Sequence, residues 1–321
     1  MVPILLAGIV VYSGLRLLFS QSGESNFRVS SDSDCHDEFM AFAERLNLSP
    51  TKARQLNKAR TVLQTKIKKY FSEKTNTTTP LFYIQGSVKH GTVIRKQDDT
   101  CDIDVGVYFK GKPRIKPATI QANIVKAIGN HTNEKASIRQ KCVRVYYANL
   151  FHIDLPVYYI DIKTGTIYLG IGKEWHPSDP KQFTDWLKTE VIGTQQQRLV
   201  MYFKAWADVV KGRNQQKMPN GLSFTLWVNT FYCEDKRDDI SFIKTAYKLL
   251  KYLKRTETDE WDCAMPVVPK DNVIQKLSWD QRKNFKYALD ELIQSSVKIF
   301  ESNSKEQCIE AWKWLLGKWF N

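Results

Sequence analysis

Residues 102–109 read Asp-Ile-Asp-Val-Gly-Val-Tyr-Phe, and residues 151–158 read Phe-His-Ile-Asp-Leu-Pro-Val-Tyr. In both stretches apolar and polar residues alternate, which is typical of a half-buried strand with one apolar and one polar face. Residues i and i+2 of a strand share a face, so Asp102 and Asp104 project into the same space. Asp154 has the same phase, and a strand hydrogen-bonded beside the first would bring it to that face. The sequence therefore predicts three carboxylates on one face of a packed sheet.

Three carboxylates on one face have an electrostatic consequence. Unpaired like charges resist ionising together, and a divalent cation relieves their repulsion. Mg²⁺ prefers oxygen ligands and is commonly held by one or two carboxylates together with substrate phosphates. The pattern predicts a site for two Mg²⁺ ions, with Mn²⁺ as the alternative ion. One ion would activate an attacking hydroxyl and the other would neutralise a leaving pyrophosphate. The alternative is that Asp154 pairs with a Lys or Arg side chain.

A Gly-Ser dipeptide follows the strand predicted at Leu81–Gln85. Gly86 permits a tight turn and a close approach of the backbone to an anion. The N–H groups that follow, together with the Ser87 hydroxyl, would hold a phosphate. Gly-Ser is a common loop dipeptide, so the prediction depends on the order of strand, Gly-Ser and Asp-x-Asp strand. Asp98 and Asp99 precede the alternating strand and are set aside.

The chain changes character near its middle. Strand patterns end near Leu169, and helical periodicity prevails from Asp179 onward. We predict an α+β fold in which a mixed sheet with helices is followed by a C-terminal helical lobe. The predicted divisions are an apolar N-terminal segment with a linker at 1–34, a catalytic core at 35–178 and the helical lobe at 179–321. Helices are predicted at 36–47, 49–74, 117–131, 181–192, 195–212, 221–233, 238–254, 278–301 and 304–317.

The N-terminal segment is the most apolar part of the chain. Val2–Tyr12 is nearly all apolar, and Leu15–Phe19 continues the run around Arg16. A membrane-spanning helix needs about 20 residues, so this stretch is at the short limit. Three interpretations are open: an N-terminal membrane anchor that brings residues 2–19 to a membrane, a wrongly assigned start codon, or a helix buried on the protein body. Ser20–Asp34 is typical of a flexible linker.

The composition is that of a globular protein with a basic surface. The 321 residues include 48 Lys and Arg against 34 Asp and Glu, a formal net charge of +14. This excess favours polyanionic partners such as nucleotides, nucleic acid or an acidic membrane surface, although a solvated basic surface is the plain alternative. None of the six cysteines forms a Cys-x-x-Cys pair, which argues against a zinc ribbon or a dense disulfide framework. We predict a reducing, cytoplasmic compartment.

Three motifs together carry a family resemblance. Gln85–Thr92, Asp102–Tyr108 and His152–Tyr158 resemble the signature of polymerase-β-type nucleotidyltransferases. More closely, they resemble the cGAS/DncV-like nucleotidyltransferases (CD-NTases) of bacterial CBASS antiphage defence, in the DncV-like branch. Supporting matches are Lys141–Val145, Glu174–Lys181, Arg198–Asp208 and Pro219–Thr225, and the resemblance extends over roughly residues 46–320.

The resemblance implies roles for individual residues. Asp102 and Asp104 would bind both metal ions, and Asp154 would bind the ion that activates the acceptor hydroxyl. Ser87, after Gly86, would contact the donor phosphates. Two further positions, Lys204 and Ser223, match residues that hold the donor triphosphate in related enzymes.

The resemblance also implies a function. The enzyme would convert nucleoside triphosphates (ATP, GTP or both, with others open) to a cyclic di- or trinucleotide, a second messenger that switches on an antiphage effector, and no nucleic acid would be required. Two alternatives remain: a linear oligonucleotide or RNA-end nucleotidyltransferase, and a non-catalytic nucleic-acid-binding protein. The zinc-binding insertion of the animal sensors has no counterpart here. The long gap between Ser87 and Asp102, which holds Lys89, Arg95 and Lys96, has no assigned role.

Aromatic and histidine side chains near the motifs are weaker candidates. Tyr108 and Tyr158, on the predicted polar face, are better placed to stack a nucleotide base than the helical tryptophans. His152 shares that face with Asp154, and a structural role is favoured for it. His90 lies in the predicted phosphate loop and is a candidate for contact with substrate.

Overall fold

The Asp-x-Asp stretch and the third aspartate lie on neighbouring strands of one mixed sheet. In the computed structural model, which describes residues 29–148, 150–190 and 194–321, the sheet has seven strands. Strands β2 and β5 run parallel, and the other paired strands are antiparallel. The order is β1-β2-β5-β4-β3, with β6 joining β5 to β7. The strands are β1 (Leu81–Gln85), β2 (Asp102–Lys110), β3 (Ser137–Ile138), β4 (Cys142–Tyr147), β5 (Phe151–Ile160), β6 (Ile167–Ile171) and β7 (Glu174–Pro177).

Ten α-helices occur in the same described ranges, and several begin at capping residues of the sequence. Ser49 accepts a hydrogen bond from the Lys52 N–H ahead of Pro50, and Ser278 forms a capping box with Gln281. The helices are α1 (His36–Leu46), α2 (Pro50–Lys74), α3 (Gly86–Lys89), α4 (Pro117–Ile128), α5 (Pro180–Glu190), α6 (Thr194–Asn214), α7 (Gly221–Phe231), α8 (Asp238–Arg255), α9 (Trp279–Phe300) and α10 (Lys305–Leu316).

One face of the sheet is apolar and packs against helices α2 and α4. The buried side chains of this core are Ile103, Val105, Val107, Phe109, Ile153, Leu155 and Val157 from the strands and Leu63, Ile67, Phe71, Ile120, Ile124 and Ile128 from the helices. Burying a side chain of this size contributes about 1.5–3 kcal/mol. A slip of one residue would turn every apolar strand residue to the opposite face. The apolar face therefore fixes the register that also orients the aspartates.

The chain packs as two compact units. The sheet unit takes in Asn47–Ile192 and Ala264–Asp271; the helical unit takes in Gly193–Cys263, Asn272–Asn321 and the described part of Met1–Leu46. These limits differ from the predicted boundaries at 35 and 179. Helix α5 groups with the sheet unit, although its sequence continues the helical half.

Helix α1 lies in the helical unit, although it precedes the sheet in the chain. The Phe39 ring lies 5.0 Å from the Tyr202 ring, and the Phe42 ring stacks on Tyr202 at 5.7 Å. Phe320, at the end of the chain, lies 5.1 Å from Phe39 and 5.3 Å from Phe42. The aromatic face of α1 is thus buried by partners more than 150 positions later in the sequence. The predicted divisions followed sequence order and therefore grouped this helix with the sheet.

The predicted apolar segment at 2–19 and most of its linker lie outside the described residues. Among residues 29–148, 150–190 and 194–321, no helix is both long enough and apolar enough to cross a membrane.

A buried carboxylate organises the helical unit. Asp238, at the first position of α8, is fully buried. It accepts hydrogen bonds from the Arg198 guanidinium at 2.6 and 2.8 Å and from the Gln195 amide at 2.9 Å, and the Tyr202 hydroxyl lies 2.8 Å away. Burial alone would raise the pKa of Asp238, but these bonds outweigh burial and hold the pKa below its ordinary value. Its stabilisation is therefore present above the unfolded-state pKa and is lost as the pH falls through the lowered folded-state pKa.

Replacing Asp238 by Ala is expected to lower the free energy of unfolding by about 3–5 kcal/mol, because the largely buried Arg198 loses its counter-ion. Urea denaturation of the full chain, followed by circular dichroism, measures the loss. Asp185→Ala is the control, since it removes an exposed ion pair with Lys188 at 4.0 Å and is expected to cost less than about 1 kcal/mol. Equal losses in the two variants would contradict the prediction.

Candidate active site

The register of β2 and β5 brings the three aspartates together. Asp104 is the direct partner of Asp154, and Asp102 is the partner of His152. Because the two strands are parallel neighbours with the same phase, all three carboxylates lie on the face of the sheet opposite the apolar core. The predicted clustering of the aspartates thus has a structural basis in one pair of strands.

Two cations contact these carboxylates. Arg144, on β4 directly opposite Asp154, binds it with both branches of the guanidinium, Nε to Oδ1 and Nη2 to Oδ2, each at 2.8 Å. The same Nη2 lies 3.9 Å from Asp102 Oδ1. The Lys96 ammonium, from the loop before β2, binds Asp102 Oδ2 directly. The structure therefore agrees with the alternative in which Asp154 pairs with an arginine.

The electrostatics of the cluster favour charged forms. Burial tends to raise the pKa of Asp102, but Lys96, a hydrogen bond with His152 and the nearby Arg144 together hold that pKa below its ordinary value. The hydrogen bonds to Asp154 raise the pKa of Arg144 despite partial burial. Burial, and then the adjacent Asp154, which accepts a hydrogen bond from the thiol, raise the pKa of Cys142 to about 12. The cluster thus combines an ionised Asp102 and a protonated Arg144 with a neutral thiol at Cys142.

Gly86 packs directly on the second aspartate. It follows β1 as the first residue of the short helix α3 and has a positive φ of 59°, and a Cβ at this position would lie 2.2 Å from Asp104 Oδ2. A side chain at this position would have to displace that carboxylate. Ser87 follows in the first turn of the four-residue helix α3. The structure therefore brings Gly86, Ser87 and the aspartates into one region of the sheet unit.

A buried polar triad supports this region. The Gln85 amide donates to the Tyr108 hydroxyl at 2.6 Å, and the Tyr158 hydroxyl donates to Gln85 Oε1 at 3.2 Å. The two tyrosine rings stack on each other at 4.6 Å and are each only 5% exposed. The expectation that Tyr108 and Tyr158 stack a nucleotide base is therefore wrong. Their hydroxyls are satisfied by Gln85, so their apolar rings can be buried on the side that alternation marked as polar.

The two histidines near the motifs have protein partners. His152 Nδ1 lies 3.2 Å from Asp102 Oδ1, within the cluster. His90 Nε2 lies 3.1 Å from the Thr184 hydroxyl, and its ring packs edge-on against Phe183 at 5.4 Å. The favoured structural role for His152 agrees with its contact, since it holds an aspartate. The idea that His90 contacts substrate stays a prediction.

Lys204 and Ser223 lie in the helical unit. Lys204 belongs to α6, but its side chain reaches the start of α7, where Ser223 lies. A Cβ at Gly221 would lie 3.0 Å from Lys204 Cε and 3.5 Å from Lys204 Nζ, so the lysine passes over the first residue of the helix. Ser223 is buried, and its N–H and hydroxyl both donate to the Asn220 side-chain oxygen, at 2.9 and 3.2 Å. A lysine ammonium beside a helix N-terminus favours an anion.

The carboxylates are suitable ligands for a divalent metal, but they are not arranged as a preformed metal site. Among the described residues, no group of three His, Cys, Asp or Glu side chains lies together as a metal site. The donor set nevertheless consists of carboxylate oxygens, which hard cations prefer. In the structure, Lys96 and Arg144 supply the positive charge that such a cation would bring. Sequence reasoning missed both residues, although Arg144 alternates on β4 with the phase that points toward Asp154.

Residues 80–158 match the family model "Cyclic GMP-AMP synthase DncV-like, nucleotidyltransferase domain". The chain carries a DncV-like nucleotidyltransferase domain. The match confirms the predicted resemblance to DncV-like nucleotidyltransferases over these residues. Across 192 residues, 54% of this chain, it is 31% identical to a cyclic GMP-AMP synthase of Escherichia albertii, and the match spans 42% of that relative's length. DncV-like nucleotidyltransferases are generally dependent on divalent metals.

Solved structures extend the likeness beyond the DncV-like domain. The apo form of Vibrio cholerae DncV superposes with a TM-score of 0.73 at 18% identity, over 90% of this chain and 96% of that one. A Bradyrhizobium diazoefficiens CD-NTase, CdnG, solved in complex with GTP, superposes with a TM-score of 0.70 at 14% identity, over 87% and 94% of the two chains. The predicted α+β fold with a C-terminal helical region is confirmed.

Gly86→Ala is expected to slow nucleotidyl transfer by about 100-fold, because the new methyl group displaces the Asp104 carboxylate. Gly172→Ala is a matched control: Gly172 has a φ of 58°, and a Cβ there meets no atom within 4 Å. Both variants pay the same backbone cost of about 1–2 kcal/mol. Pyrophosphate release and thermal unfolding are measured for each. The explanation fails if Gly172→Ala slows the reaction as much as Gly86→Ala.

Proposed function

We propose that this protein is a cyclic dinucleotide or trinucleotide synthase that uses nucleoside triphosphates such as ATP and GTP. The observation that carries the proposal is the pairing of Asp104 with Asp154 across parallel strands, with Gly86 packed on the Asp104 carboxylate. This arrangement joins a carboxylate cluster to the Gly86 turn, which would admit a phosphate. The matched domain and the similarity to a cyclic GMP-AMP synthase support the same class of reaction.

The aspartates would hold two Mg²⁺ ions, with Mn²⁺ as the alternative. When bound, the metal supplies positive charge at the attacking hydroxyl and at the leaving pyrophosphate. Asp102 and Asp104 would serve both ions, and Asp154 would serve the acceptor side. A ribose hydroxyl of the acceptor forms a bond to the α-phosphorus of the donor as the bond to pyrophosphate breaks and the hydroxyl loses its proton. A second transfer of the same kind would close the ring.

The chain's own residues would position the substrates. Ser87, in the first turn after Gly86, would contact the donor phosphates. Lys204 of α6 and Ser223 in the first turn of α7 would hold the triphosphate with the α7 N-terminus. The Gln85, Tyr108 and Tyr158 triad fixes the end of β1, so that the Gly86 turn stays against Asp104. Exclusion of water and choice of base would come from side chains outside this group.

The cellular role follows from the product. A cyclic nucleotide would act as a diffusible second messenger that switches on an effector in bacterial antiphage defence. The enzyme would then act in the cytoplasm without a required nucleic acid. Membrane contact through residues 2–19 stays a proposal. That segment lies outside the described residues, so the structure does not test it.

Incubation of the purified chain with all four labelled triphosphates and Mg²⁺ is expected to give a product that survives phosphatase, because a ring has no terminal phosphate to lose. Mass spectrometry then gives the ring size and the bases. A product that loses phosphate would identify a linear oligonucleotide synthase, and no product with any triphosphate would contradict the proposal.

The double substitution Asp102→Asn with Asp104→Asn is expected to reduce pyrophosphate release by at least about 1000-fold, because both metal-facing charges are removed. Asp98→Asn is the matched control, since Asp98 is an exposed aspartate whose side chain accepts hydrogen bonds from the N–H and the hydroxyl of Thr100 in the same loop. It is expected to keep the activity of the natural chain. Synthesis retained by the double variant would show that the carboxylates are not the catalytic groups.

A further inference from the structure

Lys96 and Arg144 reach the aspartate cluster from elements that carry none of the aspartates. Lys96 lies in the loop between α3 and β2, and Arg144 lies on β4. Together with His152, they contact both oxygens of Asp154 and both oxygens of Asp102. We name Lys96 and Arg144 the counter-cations. They thus contact two of the three carboxylates, Asp102 and Asp154, that the proposed function assigns to metal.

The counter-cations and a divalent metal ion would compete for the same aspartate carboxylates. A divalent ion on Asp154 would lie within a few ångströms of the Arg144 guanidinium, which is fixed by two hydrogen bonds of 2.8 Å. Two like charges at such a distance repel strongly in a partly buried site. Arginine cannot relieve the repulsion by losing its proton, so it must move away from the carboxylate or oppose the metal.

An incoming triphosphate changes this balance. Its oxygens are the partners that a guanidinium fork and a lysine ammonium bind well. Each counter-cation therefore has an alternative acceptor only when nucleotide is present. The exchange conserves charge: a carboxylate passes from a side-chain cation to the metal, and the side-chain cation passes to a phosphate.

We propose that the counter-cations make metal binding conditional on nucleotide, with Arg144 and Lys96 holding the aspartates until a triphosphate draws them away. They are positioning residues, because they act through the carboxylates. The inference rests on the proposed function, since it takes the aspartates as the metal ligands. It adds a coupling between the two ligands, and by linkage each ligand must then strengthen binding of the other.

Mn²⁺ binding to the full chain, followed by the electron paramagnetic resonance signal of the free ion, tests the coupling without turnover. In the natural chain, a non-hydrolysable triphosphate is expected to tighten Mn²⁺ binding about tenfold or more. Arg144→Gln is expected to bind Mn²⁺ about tenfold more tightly without nucleotide, because the opposing charge is gone. Its response to the triphosphate shrinks correspondingly. Arg144→Lys keeps the charge and is expected to stay close to the natural chain.

Arg139→Gln is the matched control, because Arg139 lies just before β4 and bonds the Tyr146 hydroxyl at 2.7 Å instead of an aspartate. It should leave Mn²⁺ affinity unchanged. If Arg144→Gln does not fold, as judged by thermal unfolding, Lys96→Gln provides the same test at Asp102 and is also expected to tighten Mn²⁺ binding. Unchanged or weaker Mn²⁺ binding in the folded variants overturns the proposal, as does equal tightening in Arg139→Gln.

The two proposals fail in different ways. If the aspartates hold no metal, neither the natural chain nor any variant binds Mn²⁺, with or without triphosphate, and the proposed function and the coupling both fall. If only the coupling is wrong, Arg144→Gln and Lys96→Gln bind Mn²⁺ no more tightly than the natural chain does in the absence of triphosphate, while synthesis proceeds.

Discussion

The parallel pairing of β2 with β5 is the constraint on which the site depends. Its register sets Asp104 beside Asp154 on one face of the sheet, while the alternate residues pack against α2 and α4 on the other. The burial of the apolar face is favourable enough to hold mutually repelling carboxylates at neighbouring positions. A change that shifted this register would lose the core and the site together.

The charges on the polar face are balanced inside the sheet unit. Arg144 crosses from β4 to Asp154, and Lys96 reaches Asp102 from a loop that the sequence left without a role. Breaking such a pair is costlier than never forming it, because the remaining ion stays partly desolvated. Each of these two ion pairs cancels in the charge count, so neither contributes to the net charge of +14.

The sequence predicted what short-range patterns encode and missed what depends on strand order. Alternation and turn residues were enough for the strands around Asp102 and Asp154, and capping residues marked the start of α2 at Ser49. The Arg144 contact was missed because it requires β4 to lie beside β5 in a particular register. The expectation that Tyr108 stacks a base was wrong because Tyr108 was counted as a polar residue, whereas its ring packs as an apolar side chain. The short strands β3 and β7 carry too few residues for alternation to be visible.

The position of α1 has a consequence for biosynthesis. Its aromatic face is covered in part by Phe320, the next-to-last residue of the chain. The sheet unit lies between these partners in the sequence. On a ribosome, Phe39 and Phe42 therefore stay without this partner until Phe320 has been synthesised, while the sheet unit can already fold. A chain that ends a few residues early would contain every aspartate of the site and yet leave its first helix without its last packing partner.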